Sequence, residues 1–226
     1  MKQTFKQFLV EMLSYTEPDE GSEPFYAGKK VKDAALKYRA DNPHTKHLTV
    51  GNHAALSHSD DPMYTDRIWR TAFDEDAGTS WLKYVHQHSE LHNNPFVPRL
   101  FEIQHGKIVT YQVEKLIPFL EPDILRNKHL MLSKLKQYFN NIDLDKATAR
   151  SIIITELSKV LDRGDYSNIK DPQLKQALQA VDQMITYGQN KTINDITDTN
   201  LMWRMTHLGP QLVITDPLWR DYETNI

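Results

Sequence analysis

The stretch INDITDTNLMWRMTHLGPQLVITDP, residues 193–217, contains the features that decide the fold of this chain. The apolar runs LMWR and QLVIT flank MTHLGP, whose Gly and Pro favour a turn, so we predict a β-hairpin. Asp195 and Asn200 precede this hairpin, and Asp216 follows it at a point where Pro217 cannot continue a ladder of hydrogen bonds. We therefore expect the three polar side chains to converge on one edge. The alternative is a hairpin with polar ends, because Asn and Asp favour turns in any protein.

The composition indicates a globular protein. The chain has 226 residues, of which 39% are hydrophobic and 25% charged, enough for one substantial core or two small lobes. Its net charge of -3 gives no global reason to bind nucleic acid or an acidic membrane surface. The absence of cysteine excludes thiol catalysis and disulfides, and no apolar run approaches the roughly 20 residues of a membrane span. We expect a cytoplasmic protein without nucleic-acid or membrane partners.

The sequence changes along the chain from strand-like to helix-like apolar patterns, which predicts an α+β fold. Residues 1–46 are expected to form a helical extension and a linker, residues 47–120 a strand-rich lobe with one helix, and residues 121–226 a helical lobe that contains the hairpin. The pair His105-Gly106 separates two strand-like runs and predicts a second hairpin. Helices are predicted within residues 29–41, 74–91, 123–141, 144–164 and 171–188.

Several motifs resemble those of protein kinases. The order of an Asp-x-x-x-x-Asn loop, a hairpin and a further Asp is similar to the kinase catalytic loop and metal-binding turn. HNNPFVPRLFEI resembles the connection from the kinase αC helix to strand β4, and IVTYQVEKL resembles the strand that leads into the adenine-binding hinge. The segments AALSH and ITDP are similar to those of a narrower group, the kinase-like early proteins of T7-type bacteriophages.

This resemblance implies a compact two-lobed fold that transfers phosphate from ATP, with Mg²⁺, to a hydroxyl of a protein, which is a host protein if the chain comes from a phage. Only ten residues follow Asp216, so the second lobe is expected to be truncated. The expected location is the cytoplasm, which is that of the host cell if the chain comes from a phage. The resemblance assigns the following roles: Asp195 as catalytic base, with Asp198 as its rival if the register is shifted; Asn200 and Asp216 as metal ligands; Gly51 and Arg70 at the phosphates; and Glu114 to Leu116 as the hinge.

Departures from the kinase pattern leave other functions open. Arg70 occupies the position of the nucleotide-binding Lys, and its guanidinium is bulkier than an ammonium group. No acid lies in the middle of the helix WLKYVHQH, where kinases place the acid that pairs with the Lys. If the helix is shifted, the candidates for an acidic partner of Arg70 are Asp74, Glu75, Asp76 and Glu90. The alternatives are an inactive pseudokinase that binds and modulates a host protein, and a structural or accessory phage protein.

Histidines and tryptophans are interpreted as structural residues. His88 and His92 are four residues apart in HQHSELHNN, but Glu90 lies on the wrong face for a zinc hydrolase, so surface or interlobe histidines are favoured over a metal site. The tryptophans are expected to be core or interlobe anchors, because large aromatic side chains dominate buried area. They are Trp69, Trp81, Trp203 and Trp219.

Overall fold

The structure is a computed structural model. It describes residues 27–41, 47–50, 54–59, 61–73, 76–104, 108–142, 148–187 and 192–220. These residues form six α-helices and antiparallel β-sheets, and the predicted α+β class is confirmed. The predicted N-terminal helix, the linker Thr16–Tyr26 and Gly51 lie outside the described residues.

The chain divides into two units. The first contains the described residues up to Thr79 together with Arg99–Lys115, and the second contains Ser80–Pro98 and the described residues from Leu116 onward. Helix α2 (Ala77–Gln87) begins in the first unit and continues in the second. No helix among the described residues is long and apolar enough to cross a membrane.

A five-stranded antiparallel sheet forms the first unit, in the order β1-β2-β3-β5-β4. Its strands are β1 (His47–Val50), β2 (Ala54–His58), β3 (Arg67–Phe73), β4 (Leu100–Gln104) and β5 (Ile108–Glu114). The antiparallel pairing of β4 with β5 confirms the hairpin predicted around His105-Gly106.

Strand β5 and helix α1 (Ala27–Asp41) contribute buried residues to the core of the first unit. Val109 to Val113 are buried on both faces of β5, and β-branched and aromatic residues favour such a central strand. On α1, Val31 and Ala35 lie four residues apart on one helical face and cluster with Ala55 of β2. The helix predicted within residues 29–41 is therefore confirmed.

Four helices precede the hairpin in the second unit: α3 (Pro122–Leu125), α4 (Lys128–Tyr138), α5 (Ala149–Arg163) and α6 (Pro172–Tyr187). The single helix predicted within residues 123–141 is wrong, because Asn127 starts a new helix by accepting a hydrogen bond at its side chain from Leu130 N, 3.1 Å away. Asp171 caps the start of α6: its Oδ1 accepts from Gln173 N at 2.9 Å and Leu174 N at 3.1 Å.

Two small sheets complete the second unit. Strands β6 (Ile117–Pro118), β8 (Leu201–Thr206) and β9 (Gly209–Ile214) form one sheet, and β7 (Thr192–Asn194) pairs with β10 (Leu218–Arg220) in the other. His207 and Leu208 connect β8 to β9, and Gly209 adopts a φ of 94°, which favours glycine. The predicted hairpin of residues 201–215 is confirmed.

The tryptophans divide into buried and exposed. Trp69, Trp81 and Trp203 are at most 1% exposed, as predicted, whereas Trp219 is 46% exposed and its prediction as a core anchor is wrong. Trp219 lies on β10, which belongs to a sheet of only two strands in the described part of the chain, and its cross-strand partner Ile193 is itself 50% exposed. A two-stranded sheet offers little area to cover such a side chain.

Candidate functional site

Backbone hydrogen bonds in the second unit join the loop of residues 195–200 to the residues that follow β9. Asp195 N donates to Pro217 O at 2.9 Å, and Thr215 N donates to Asn200 O at 3.0 Å. The hydroxyl of Thr215 also donates to Asn200 O, at 2.9 Å. Asp195, Asn200 and Asp216 therefore belong to two segments that are hydrogen-bonded to each other at both ends.

The side chain of Asn200 fixes the interior of the loop. Its Nδ2 donates to the carboxylate Oδ2 of Asp195 and to the backbone oxygen of Asp195, each at 2.8 Å. Because both bonds use the amide nitrogen, the amide oxygen Oδ1 is left to act as an acceptor or as a metal ligand. The hydroxyl of Thr199 approaches Oδ1 only at 3.5 Å.

The surroundings of Asp195 change its affinity for protons. Burial raises the pKa of this carboxyl above its ordinary value of 3.8, and the hydrogen bond from Asn200 lowers it again in part. A carboxylate with a raised pKa holds a proton more strongly than a solvated one. This property suits a group that must accept a proton from a hydroxyl.

Asp198 has a different environment. Its carboxylate forms an ion pair and hydrogen bond with Arg150, in the first turn of α5. This contact anchors the loop to a helix that lies 48 residues earlier in the chain. Of the two rival bases, Asp195 is the one held by the metal-ligand candidate Asn200, and Asp198 acts as the anchor.

Asn200 and Asp216 offer oxygen ligands. The backbone N of Asp216 donates to Asn200 O at 3.4 Å, and its side-chain Oδ1 is buried. Mg²⁺ prefers oxygen donors and is commonly bound through one or two carboxylates together with substrate phosphates, so the donor set fits this ion. Within the described residues, no group of three or more His, Cys, Asp or Glu side chains could hold a metal ion.

Arg70 in the first unit has a charged partner at the start of α2. Its Nη2 lies 2.7 Å from Asp76 Oδ2, and its Nη1 donates to the hydroxyl of Thr79 at 3.0 Å. Asp76 is one of the four acids considered from the sequence, and it lies before the helix rather than in its middle, whereas Asp74 and Glu75 lie outside the described residues. Glu90 is exposed and lies instead in a short 3₁₀ turn, Ser89–Leu91. Thr79 was missed, although the spacing Asp76-x-x-Thr79 is typical of a helix cap.

The hinge residues use part of their hydrogen-bonding capacity internally. Glu114 N donates to Arg99 O at 3.0 Å, and Glu114 Oε1 accepts from Arg99 N at 2.9 Å. Lys115 N donates to Asp66 O at 2.7 Å. These two N–H groups are therefore engaged within the first unit, and Leu116, the third residue predicted for the hinge, is buried.

The histidines near the end of α2 are engaged in local contacts. The ring of His88 stacks on Tyr84 with centroids 3.8 Å apart, and its Nδ1 donates to Tyr84 O at 2.8 Å. His92 Nε2 donates to His86 O at 2.7 Å. These contacts support the structural interpretation of both residues.

Comparison with known proteins gives no relative for this chain: no protein-family model matches the sequence, and no curated protein matches it at a significant level.

Proposed function

We propose that this protein is a kinase-like phosphotransferase that transfers the γ-phosphate of ATP, with Mg²⁺, to a hydroxyl of a protein. The observation that carries the proposal is the double hydrogen bond from Asn200 Nδ2 to Asp195, which holds a carboxylate of raised pKa beside an amide oxygen and next to the segment of Asp216. Phosphoryl transfer needs a carboxylate that orients the attacking hydroxyl and oxygen ligands for Mg²⁺.

The order of elements in the first unit supports the same proposal. Arg70 lies on β3, α2 follows it, and β4 and β5 form a hairpin that ends at Glu114. These are the places at which the sequence resemblance puts the phosphate-binding strand, the αC helix and the hinge. A two-lobed kinase-like fold is thus part of the proposal.

The mechanism follows from the assigned roles. The protein hydroxyl oxygen attacks the γ-phosphorus, the bond from that phosphorus to the β,γ-bridging oxygen breaks, ADP leaves, and the hydroxyl proton passes to the carboxylate of Asp195. Asn200 and Asp216 would hold Mg²⁺, which supplies neutralisation of the phosphate charge. Under the same assignment, Arg70 would contact the phosphates and the hinge at Leu116 would contact the adenine.

The second candidate is a pseudokinase, a protein that binds a host protein and catalyses no reaction. The specific observation in its favour is the internal use of the backbone N–H groups of Glu114 and Lys115, which donate to Arg99 O and Asp66 O. A protein with this function would bind nucleotide weakly or not at all, and it would act by binding the host protein through its surface.

A label-transfer assay separates the two functions. The purified protein is incubated with Mg²⁺ and ATP labelled at the γ-phosphate, alone and with a bacterial lysate. We expect transfer by the native chain and a loss of about 10²–10⁴-fold in Asp195→Ala, the size typical of a lost general base. Asp198→Asn serves as the matched control, because it neutralises the neighbouring carboxylate of the same loop. Equal transfer by Asp195→Ala and the native chain would refute the assignment of Asp195.

A further inference from the structure

We propose that Ile193 and Trp219, on the outward face of the sheet of β7 and β10, form the docking surface for the polypeptide that accepts the phosphate. This surface binds an apolar side chain two residues away from the accepting Ser or Thr. The inference rests on the proposed function and deepens it, because it gives the chemistry of the substrate. All of the residues involved belong to the second unit.

One face of this two-stranded sheet is covered by helices. Successive residues of a strand point to opposite faces, so Thr192 and Asn194 of β7 share a face with Leu218, the cross-strand partner of Asn194. Thr192 and Leu218 are buried, and Asn194 Nδ2 donates to Asp162 Oδ1 of α5 at 3.0 Å. Strand β7 thus packs on α5 and α6 through its polar residues.

The opposite face carries two apolar side chains that remain exposed. Ile193 and Trp219 are cross-strand partners and are 50% and 46% exposed. On β7 the usual order of a half-covered sheet, apolar inside and polar outside, is therefore reversed. Trp is enriched among the residues that dominate binding at protein interfaces, and adjoining exposed apolar side chains indicate an interaction site.

The same face continues to the carboxylate of Asp195. Asp195 N donates to Pro217 O at 2.9 Å, which places these two residues opposite each other and continues the register of β7 and β10 by one pair. Alternation puts the side chain of Asp195 on the face of Ile193. Their Cα atoms are about 7 Å apart, because a strand rises about 3.3 Å per residue.

This spacing identifies the occupant as the acceptor polypeptide. In an extended chain, side chains two residues apart point to the same side and are also separated by about 7 Å. A hydroxyl at Asp195 therefore places the side chain two residues away over Ile193 and Trp219. That side chain is apolar, because the contact removes apolar surface of both partners from water. Contact with a membrane or a second copy would cover the exposed pair but would not use its register with the carboxylate.

The test compares two peptides as substrates of the full chain with Mg-ATP. Each peptide contains a single Ser, with Leu at the second position on either side of it in one peptide and Gln at those positions in the other. We expect the KM of the Leu peptide to be about tenfold lower, which corresponds to partial burial of one Leu side chain.

Variants of the docking surface should remove this preference. Ile193→Thr and Trp219→Thr keep β-branched residues that suit a strand but remove apolar surface. The double variant should give KM values for the two peptides that agree within about twofold, with a native Kd for Mg-ATP. Met205→Thr is the matched control, because Met205 is a strand residue of the same unit and is 56% exposed, and it should keep the native preference.

Tryptophan fluorescence measures docking without phosphate transfer. The other tryptophans, Trp69, Trp81 and Trp203, are at most 1% exposed, so a peptide on this surface should change the environment of Trp219. The Leu peptide should shift the emission to shorter wavelength, because it replaces water around the indole. Asp195→Ala should show the same shift, and Trp219→Phe should not.

The two proposals fail in different ways. Transfer by the native chain to both peptides with equal KM values would overturn the docking surface and leave the proposed function intact. An emission shift with the Leu peptide, but no transfer to a peptide or to a lysate protein, would overturn the proposed function and the identification of the occupant as an acceptor. The comparison of peptides on the native chain uses no variant, so it decides even if the double variant does not fold.

Discussion

At the scale of single residues, Asp195 is subject to two opposing influences on its pKa. Burial raises the pKa and is the larger effect, and the hydrogen bond from Asn200 Nδ2 lowers it. In the folded protein the ionised form is therefore less favourable than in the unfolded chain, where the pKa is about 3.9. Such a group stabilises the fold fully only below the unfolded pKa, and this contribution is lost as the pH rises through the folded pKa.

Asp195→Asn should consequently be more stable than the native chain at pH 7. The amide oxygen of the new side chain can still accept the hydrogen bond from Asn200, while the half-buried charge is gone. The difference in the free energy of unfolding between Asp195→Asn and the native chain should shrink as the pH falls through the pKa of Asp195. Denaturant titrations at pH 7 and at acid pH measure it, and a variant that is less stable than the native chain at pH 7 would contradict the account.

Asp198→Asn is the matched control for this experiment. Its carboxylate pairs with Arg150, whose side chain is 49% exposed, and pairs of this kind contribute about 0–1 kcal/mol. Neutralisation of Asp198 should therefore give no gain in stability at pH 7. The same loop thus contains one carboxylate whose charge costs stability and one whose charge contributes to it.

Sequence spacing predicted some of these residue-scale features and missed others. The Asp-x-x-x-x-Asn spacing of Asp195 and Asn200 was visible because both residues belong to one loop. The pairing of Asp198 with Arg150 was not, because the partner lies 48 residues away and no local pattern encodes it. Asp76 was one of four candidates, and its contact with Arg70 depends on the position at which α2 begins, which the sequence did not give.

At the scale of elements, helix α5 has a defined cap at each end. The hydroxyl of Thr148 accepts from Ser151 N at 3.2 Å, and Gly164 ends the helix with a φ of 65°, in the left-handed region. Nothing lies within 4 Å of the place where a Cβ atom would be added to Gly164. A substitution there therefore tests backbone conformation without a steric clash.

Gly164→Ala should lower the free energy of unfolding by about 1–2 kcal/mol, the cost of a left-handed conformation for a residue with a Cβ atom. Gly164→Asn should cost less, since Asn tolerates this conformation better than Ala does. Thermal or denaturant unfolding of the two variants measures the difference. Equal stability of Gly164→Ala and the native chain would show that the C-cap of α5 does not adopt this conformation.

Capping residues also explain which elements could be predicted. The bounds of α5 and α6 follow from Thr148, Gly164 and Asp171, which are local signals. The division of residues 122–138 into α3 and α4 was missed, because an apolar helical pattern continues through Asn127 and hides the cap. Trp219 was misassigned because burial depends on the number of strands in its sheet, and sequence does not give that number.

At the scale of the whole molecule, the change from strand-rich to helix-rich sequence predicted the α+β class but not the membership of each unit. Residues Ser80–Pro98 belong to the second unit, although they lie between strands of the first. Hydrophobic periodicity identifies α2 as a helix with one apolar face, but it does not state what covers that face. Long-range contacts decide such assignments, and a single sequence does not display them.

The central claim is that the segments of Asp195, Asn200 and Asp216 form a site for nucleotide and Mg²⁺. Calorimetric titration of ATP, with and without Mg²⁺, tests it on the native chain, Asp216→Ala, Asp195→Ala and the control Asp165→Ala, which changes an exposed loop acid of the same unit. We expect Mg²⁺-dependent binding by the native chain, Asp195→Ala and the control, and at least about a tenfold weaker affinity in Asp216→Ala. Native affinity for Mg-ATP in Asp216→Ala would contradict the account.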